Sequence, residues 1–200
     1  EALAYYVGLR QFAPPEVTDF EWYETGASFW TGQSAMMDHW SVYASMASDP
    51  AQSKIVGKVG AAVPPAKEGV EQRSQLGGFA LSISAKSKNQ EASWEFVKWA
   101  TSKTTLMKMV TENTFDAVNR ISVLSDAKVQ EKYPWASAVL DAMKVADPEY
   151  KPRIPAYSQM EEVLGVALNS ALTGDVTVDE ALDDSQTQIT KIVKDAKLLK

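Results

Sequence analysis

Two sequence patterns combine residues that could carry out acid–base chemistry. Asp38 directly precedes His39, the one histidine of the chain, and a carboxylate beside an imidazole can orient a general base. The acidic pairs at 161–162 and 183–184 would suit a glycosidase, because that enzyme needs two carboxyl groups across a cleft. The predicted elements that carry these residues decide whether such chemistry is feasible.

Those elements argue against both patterns. Adjacent residues on a strand point to opposite faces, so a strand at 35–40 would turn Asp38 away from His39. Each acidic pair lies on a predicted helix, where the two side chains splay around the axis, and Glu161 is predicted to cap its helix. We interpret His39 as a surface or cleft residue and the acidic pairs as solvated helix faces. A glycoside-processing enzyme remains an alternative that needs two carboxylates facing one cleft.

Composition excludes several other kinds of site. The chain has no cysteine and a single histidine, which excludes zinc sites of the Cys/His kind and a cysteine nucleophile. The Gly77-Gly78 pair lacks the spacing of a phosphate-binding loop. A net charge of −6 without a basic stripe makes nucleic acid a poor partner. We therefore predict a protein with no catalytic residue, no metal and no cofactor.

Length and hydropathy indicate a globular protein. A chain of 200 residues with 45% apolar content can bury a core. Charges interrupt its apolar stretches well before the roughly 20 residues needed to cross a bilayer. The first residues, EALAYYVGLRQF, resemble the middle of a helix and include neither an initiator methionine nor a capping residue. We expect the chain to be a segment of a longer protein.

Helix signals dominate the sequence. Capping boxes are predicted at Thr18 with Glu21, Ser158 with Glu161, and Thr177 with Glu180. One-sided apolar stripes follow the second and third boxes, and Gly174 is predicted to end the first of these two helices. Asn89 can cap another helix. Further helices are expected at 2–12, 22–31, 42–48, 103–111 and 135–146.

Strand signals are fewer and shorter. Apolar runs bounded by turn residues predict strands at 35–40, 58–63 and 78–84. The element order predicts an α/β fold with a small sheet, more helix than strand, and an almost entirely helical region over 126–200.

Aromatic residues are the remaining candidates for a binding site. The chain has 6 Trp, 7 Tyr and 6 Phe, and aromatic faces can pack on the C–H faces of sugars whose hydroxyls take hydrogen bonds. The alternative for each is ordinary core packing. Those expected at strand ends and in loops are Trp40, Tyr43, Phe79, Phe115, Tyr133, Trp135, Tyr150 and Tyr157.

Five stretches in succession resemble the extracellular solute-binding proteins of the family 1, sugar-type class. They read WTGQSAMMDHWSVYAS, KVGAAVPPAKEG, LGGFALSISAKSKNQEASWEFVKWATS, VNRISVLSD and PRIPAYSQMEEVLGVALNSALTGDVTVDEALDDSQTQITKIV. The resemblance covers essentially the whole chain. It implies a type II periplasmic-binding-protein fold, present here as a helix-rich C-terminal fragment with a small mixed sheet and an all-helical C-terminal region.

The resemblance also implies how the chain is divided between two lobes. Residues 1–77 and 121–200 correspond to parts of the second, C-terminal lobe. Residues 78–120 correspond to the segment that returns to the first, N-terminal lobe. Gly77 and Gly78 resemble the hinge crossing at the floor of the cleft, where the backbone passes close to both lobes and to the ligand.

Several further residues match cleft positions of the family. Trp40 corresponds to the aromatic residue that follows the GxxAM motif and often lines the sugar site. Asp38, His39 and Phe79 match cleft positions, although a tryptophan is common where Phe79 stands. Gly78 belongs to the same set by the same resemblance.

Two matches lie later in the chain. Arg120 corresponds to a basic residue frequent where the chain returns to the second lobe, but the stretch before it, TENTFDAVNR, departs from the family's small-residue and proline loop. This departure weakens the match of Arg120 and of Phe115. Tyr157 corresponds to a position at the cleft edge.

The resemblance implies a non-enzymatic, substrate-binding component of an ATP-driven importer. Its expected ligand is a sugar or polyol, its partners are the membrane permease subunits, and its location is periplasmic, or extracellular and lipid-anchored in a Gram-positive source. Unpaired strand edges predict that the fragment swaps or oligomerises. A helical protein-interaction module is a further alternative, which would need a large exposed apolar patch.

Overall fold

The protein is built mainly of α-helices, as described by a computed structural model that covers residues 1–112, 118 and 120–198. The described helices are α1 (Ala2–Leu9), α2 (Trp22–Trp30), α3 (Gln90–Ala100), α4 (Lys103–Thr111), α5 (Ile121–Leu124), α6 (Ala127–Lys132), α7 (Ala136–Lys144), α8 (Tyr157–Thr173) and α9 (Val178–Asp195). Short 3-10 helices lie at Arg10–Phe12, Val17–Asp19, Ser41–Ala44 and Met46–Ser48. The helices predicted from apolar periodicity are therefore confirmed, with 42–48 formed by two 3-10 turns.

One of the three predicted capping boxes is confirmed. The Thr177 side chain accepts a hydrogen bond from the Glu180 amide, and the Glu180 carboxylate accepts one from the Thr177 amide at 2.8 Å. At the preceding helix end, Gly174 adopts a left-handed conformation with φ 87°. A left-handed C-cap closes a helix at low cost only when the residue is glycine.

The other two predicted boxes are wrong. Thr18 lies inside the 3-10 helix Val17–Asp19, and the Glu24 carboxylate accepts the Glu21 amide hydrogen bond ahead of α2. Ser158 is the second residue of α8, whose N-cap is Ala156. Both helix starts are displaced from the hydroxyl residue, so its oxygen cannot reach the first free amides.

The predicted strands at 35–40, 58–63 and 78–84 are also wrong. All three segments are irregular, and the described sheet consists of β1 (Ser74–Gln75) and β2 (Ala146–Asp147), paired in parallel. An alternating apolar pattern forms a strand only when a partner strand completes its hydrogen-bond ladder. No such partner lies beside these segments within the described residues, and Phe79 and Leu81 stay 96% and 54% exposed.

The C-terminal region is helical from α8 onward. Residues 158–195 contain no strand, as predicted. β2 lies within the span expected to be helical, and helices are also interrupted between α7 and α8.

The chain forms two compact units. The first comprises residues 1–29, 33–35 and 151–200. Its core lies where α1 packs against the α8–α9 hairpin, centred on Leu3, Ala171 and Ala181. Arg10 donates hydrogen bonds of 2.6 and 3.0 Å to the carbonyl oxygens of Leu172 and Thr173 at the end of α8.

The second unit comprises residues 30–32 and 36–150. Its core is formed by α4 to α7 and described residues between them, and Tyr133 and Trp135 pack there with ring centroids 5.1 Å apart. The buried members are Leu106, Val110, Val118, Val123, Leu124, Val129, Tyr133, Trp135 and Ala136. Tyr133 and Trp135 therefore have the core-packing role that the sequence left open.

Helix α3 has no buried residue. Its large apolar side chains Trp94, Phe96 and Trp99 are 53%, 56% and 59% exposed. Phe96 and Trp99 share a face of α3, with ring centroids 5.7 Å apart, whereas Trp94, two positions from Phe96, lies on another side of the helix. Large exposed aromatic side chains of this kind indicate a contact surface.

Candidate functional site

The predicted site begins in the second unit, at the end of the irregular segment 36–40. Trp40 occupies the N-cap position of the 3-10 helix Ser41–Ala44, with extended backbone at φ −62° and ψ 136°. Its side chain is 48% exposed. The following helical turn therefore fixes the backbone on one side of Trp40 while its ring remains accessible.

The side chain of His39 accepts a hydrogen bond from the next residue in the chain. The amide of Trp40 donates a hydrogen bond to Nδ1 of His39 at 2.7 Å. In this contact the Nδ1 atom of His39 is the hydrogen-bond acceptor. Asp38 is exposed, and Nδ1 of His39 is used in a backbone contact within the same segment.

An aromatic column continues from His39 into the unit. The rings of His39 and Tyr43 lie 4.2 Å apart at 47°. The rings of Tyr43 and Trp30 are stacked, 6.2 Å apart at 16°. Trp30 is only 2% exposed, so the column ends on a buried anchor. Tyr43 was one of several aromatic residues selected from the sequence, and Trp30 was not among them.

The glycine pair follows β1 directly. Neither Gly77 nor Gly78 has a positive φ, so neither is required by a left-handed backbone. A Cβ atom at Gly77 would lie 3.4 Å from the Tyr150 hydroxyl, whereas one at Gly78 would meet nothing within 4 Å. Phe79 is almost fully exposed. The pair therefore presents bare backbone next to an accessible aromatic ring.

Arg120 lies elsewhere in the second unit and is engaged by a helix end. Its Nε and Nη2 atoms donate hydrogen bonds of 3.1 and 2.8 Å to the carbonyl oxygen of Thr101. Thr101 is the C-cap of α3, where carbonyl oxygens lack partners within the helix. Phe115 lies outside the described residues.

Tyr157 belongs to the first unit and forms a polar cluster with Glu161 and Lys151. Its hydroxyl donates a hydrogen bond to Glu161 Oε1 at 3.1 Å, and Lys151 Nζ lies 2.5 Å from the same oxygen and 5.3 Å from the Tyr157 ring centre. Burial raises the pKa of Tyr157, and the bond to Glu161 adds to the shift. The bond from Lys151, followed by that from Tyr157, lowers the pKa of Glu161. Glu161 therefore orients Tyr157 and does not cap α8.

The structure thus groups the predicted site residues into separate sets. Asp38, His39 and Trp40 are consecutive, and 77–79 form a second consecutive set in the same unit. Among the described residues, no three His, Cys, Asp or Glu side chains are grouped so as to hold a metal ion. In the same residues no helix has the length and apolar character to cross a bilayer.

Residues 1–106 match the sequence model of the family described as bacterial extracellular solute-binding protein. The match covers more than half of the chain, and the chain belongs to this family. Its members bind a solute outside the cytoplasmic membrane, which is the class of protein that the sequence resemblance predicted.

Three relatives resemble this chain over nearly all of its length. A mannitol-binding protein of Pseudomonas aeruginosa is 30% identical over 213 residues, covering 98% of this chain and 48% of that protein. An ABC transporter solute-binding protein from Agrobacterium radiobacter K84, solved in complex with ribitol, is 34% identical with a TM-score of 0.85, covering 95% of this chain and 48% of that one. One from Agrobacterium vitis S4, solved with bound D-mannitol, is 31% identical with a TM-score of 0.84, covering 97% and 50%.

These matches confirm the fold class, a helix-rich portion of a type II periplasmic binding protein. The described sheet of that fold is parallel and not mixed. The chain spans about half the length of the relatives it matches.

Proposed function

We propose that the chain is the C-terminal portion of the substrate-binding component of an ABC importer, and that the complete protein binds a polyol or sugar between two lobes. The observation that carries this proposal is the likeness, above 30% identity, to two solved proteins that hold ribitol and D-mannitol. The protein is not an enzyme, works in the periplasm or outside the cell, and delivers its ligand to permease subunits in the membrane.

An acyclic polyol is the favoured ligand within this class. Three relatives at 30–34% identity are named for mannitol or were solved with D-mannitol or ribitol, whereas a maltose-bound T. maritima protein is 27% identical. A polyol offers C–H groups to an aromatic face and hydroxyls to polar side chains. The half-exposed ring of Trp40 and the exposed carboxylate of Asp38, two positions earlier in the chain, provide both kinds of group.

The residues assigned to the ligand lie on both lobes and the hinge. Trp40 stacks on the carbon chain, and Asp38 accepts hydrogen bonds from hydroxyl groups. Gly77 and Gly78 form the floor of the cleft, which is supported by the open space at Gly78. The remaining members of the proposed site are His39, Phe79, Arg120 and Tyr157.

Residues 78–120 belong to the first lobe in this proposal, and 1–77 with 121–200 to the second. The exposed aromatic face formed by Phe96 and Trp99 on α3 supports this assignment, since these two side chains would pack against the part of the relatives' length that this chain does not span. The lobes close around the ligand, because a ligand that contacts both favours the closed arrangement.

A ligand panel tests the proposed function. The full-length protein is melted with D-mannitol, ribitol, maltose and glutamate, each at millimolar concentration. A ligand that binds only the native state raises the melting temperature, and we expect mannitol or ribitol to give the largest increase. A response to glutamate alone, or to none of the four, would contradict the proposal.

Variants on α3 test the lobe assignment separately. In the full-length protein Trp99→Ser should lower the free energy of unfolding by roughly 1.5–3 kcal/mol, the value of a buried large apolar side chain. Leu182→Ser is the control, because Leu182 is a partly exposed apolar residue on α9 that the proposal leaves at the surface. Equal, small effects of both changes would show that the α3 face is not covered.

A further inference from the structure

We infer that His39 and Tyr43 are positioning residues that hold Trp40 in the orientation for ligand stacking. This inference rests on the proposed function of Trp40 and adds to it the groups that fix the indole. It also gives His39 a role that acts through the Trp40 backbone. Three contacts link the backbone of Trp40 to a buried ring.

The first step is a side-chain bond to the Trp40 backbone. Nδ1 of His39 accepts the Trp40 amide at 2.7 Å, and the two residues are neighbours in the chain. This contact restrains the peptide plane between them, and with it the direction in which the Trp40 Cα–Cβ bond leaves the chain.

The second step is the ring packing that fixes His39 itself. The Tyr43 ring lies 4.2 Å from the imidazole and one turn further along the chain, in the 3-10 helix Ser41–Ala44. A tilted aromatic pair at this distance is favourable. Tyr43 therefore limits the rotation of the imidazole and keeps Nδ1 directed at the amide.

The third step anchors the column in the unit. Tyr43 stacks on Trp30, which is 2% exposed. The carbonyl oxygen of Trp30 accepts a hydrogen bond from the Lys54 amide at 2.8 Å. The contacts that orient Trp40 therefore end at a buried residue, Trp30, whose backbone is held by a hydrogen bond. A ligand need not touch either of these groups.

Two variants of His39 separate the contribution of its hydrogen-bond acceptor from that of its ring. His39→Phe keeps a ring on Tyr43 but removes the acceptor. His39→Asn loses the ring but places its Oδ1 where Nδ1 stands, so the acceptor is retained. Tyr43→Leu removes the aromatic support while keeping an apolar side chain. If the inference is right, loss of the acceptor has the largest effect and the Asn variant recovers part of it.

The experiment measures D-mannitol and ribitol binding and amide exchange on the full-length protein with ¹⁵N-labelled tryptophan. In His39→Phe we expect the Trp40 amide to exchange about tenfold faster and polyol affinity to fall about fivefold, the range expected for one hydrogen bond. The melting temperature of the unliganded protein should change little. His39→Asn should restore slow exchange and most of the affinity, and Tyr43→Leu should weaken binding about twofold to fivefold.

Each alternative outcome identifies what fails. Unchanged exchange at Trp40 in His39→Phe overturns the inference, and so does faster exchange with unchanged polyol affinity. A wild-type protein that binds neither polyol overturns the proposed function and this inference with it. A wild-type protein that binds, beside a His39→Phe variant that binds equally tightly, overturns the inference alone.

Discussion

Arg120 donates two hydrogen bonds to one backbone oxygen, the carbonyl of Thr101. That oxygen lies at the C-terminal end of α3, where the helix dipole is negative and a cation is stabilising. The guanidinium thus satisfies the end of a helix whose aromatic face is exposed. Arg120 therefore stabilises the C-terminal end of α3, in addition to the contact with a ligand proposed above.

Removing the Arg120 side chain should therefore lower the stability of the folded protein. We expect Arg120→Ala to lower the free energy of unfolding by about 1 kcal/mol, measured by urea denaturation. Arg120→Lys keeps the charge but not the two-donor geometry, so its free energy of unfolding should lie between those of wild type and Arg120→Ala. Unchanged stability of Arg120→Ala would show that the two hydrogen bonds to Thr101 do not stabilise the fold.

Two glycines of the α8 region should respond to alanine in opposite directions. Gly174 has φ 87°, a conformation that strains any Cβ, so Gly174→Ala should destabilise the chain by about 1 kcal/mol. Gly165 lies inside α8, and a Cβ there would meet nothing within 4 Å. Gly165→Ala should stabilise by roughly 0.5–1 kcal/mol. Thermal melts of both variants check the pair; a change of the same sign in both would contradict it.

The capping box of α9 predicts a dependence of stability on pH. Hydrogen bonds from Thr177, first from its amide and then from its hydroxyl, lower the pKa of Glu180 below its ordinary value of 4.5. The folded chain therefore binds the proton less readily than the unfolded chain. The stabilisation is fully present above pH 4.5 and is lost as the pH falls through the lowered, folded-state value.

Glu180→Gln isolates this effect, because glutamine can still reach the Thr177 amide but does not titrate. We expect wild type to be more stable than the variant at pH 7 and the difference to shrink as the pH falls below 4.5. Denaturation curves between pH 3 and 7 measure it. A difference that grows with acid would contradict the sign of the shift. Thr177→Ala, which removes the cap itself, should cost about 1 kcal/mol at pH 7.

Local signals in the sequence predicted the helices well. The Thr177 box, the Gly174 cap and the 3.6-residue apolar stripes depend on residues within a few positions of one another, so the chain itself contains the information. The box at Ser158 failed because α8 starts earlier, at Tyr157, and Glu161 is taken by Lys151 and Tyr157 instead. Competition from a residue distant by ten positions was not visible in the pattern.

The strands and the site depended on partners that local patterns do not reveal. The run at 78–84 has the alternation of a strand, but a strand forms only where a neighbouring strand pairs with it. The strand that does form, β1, pairs with a segment more than seventy positions away at Ala146, which no local pattern indicates. Trp40 and Tyr157 were two of eight aromatic candidates in the sequence, and only the resemblance placed them at a cleft. Trp30 was missed because nothing in its own surroundings distinguishes a buried anchor from an ordinary core tryptophan.

The central claim is that Trp40 forms part of a polyol site, and calorimetric titration of the full-length protein with D-mannitol tests it most directly. Trp40→Ala is compared with Trp22→Ala, since Trp22 is also an exposed tryptophan, at 62%, and has no assigned role in the site. We expect Trp40→Ala to weaken binding about tenfold or more, since stacking and buried area together contribute roughly 1–3 kcal/mol, with little change in melting temperature. Trp22→Ala should bind as wild type does. Unchanged mannitol affinity in Trp40→Ala, from a wild type that binds, would contradict the claim and place the site elsewhere.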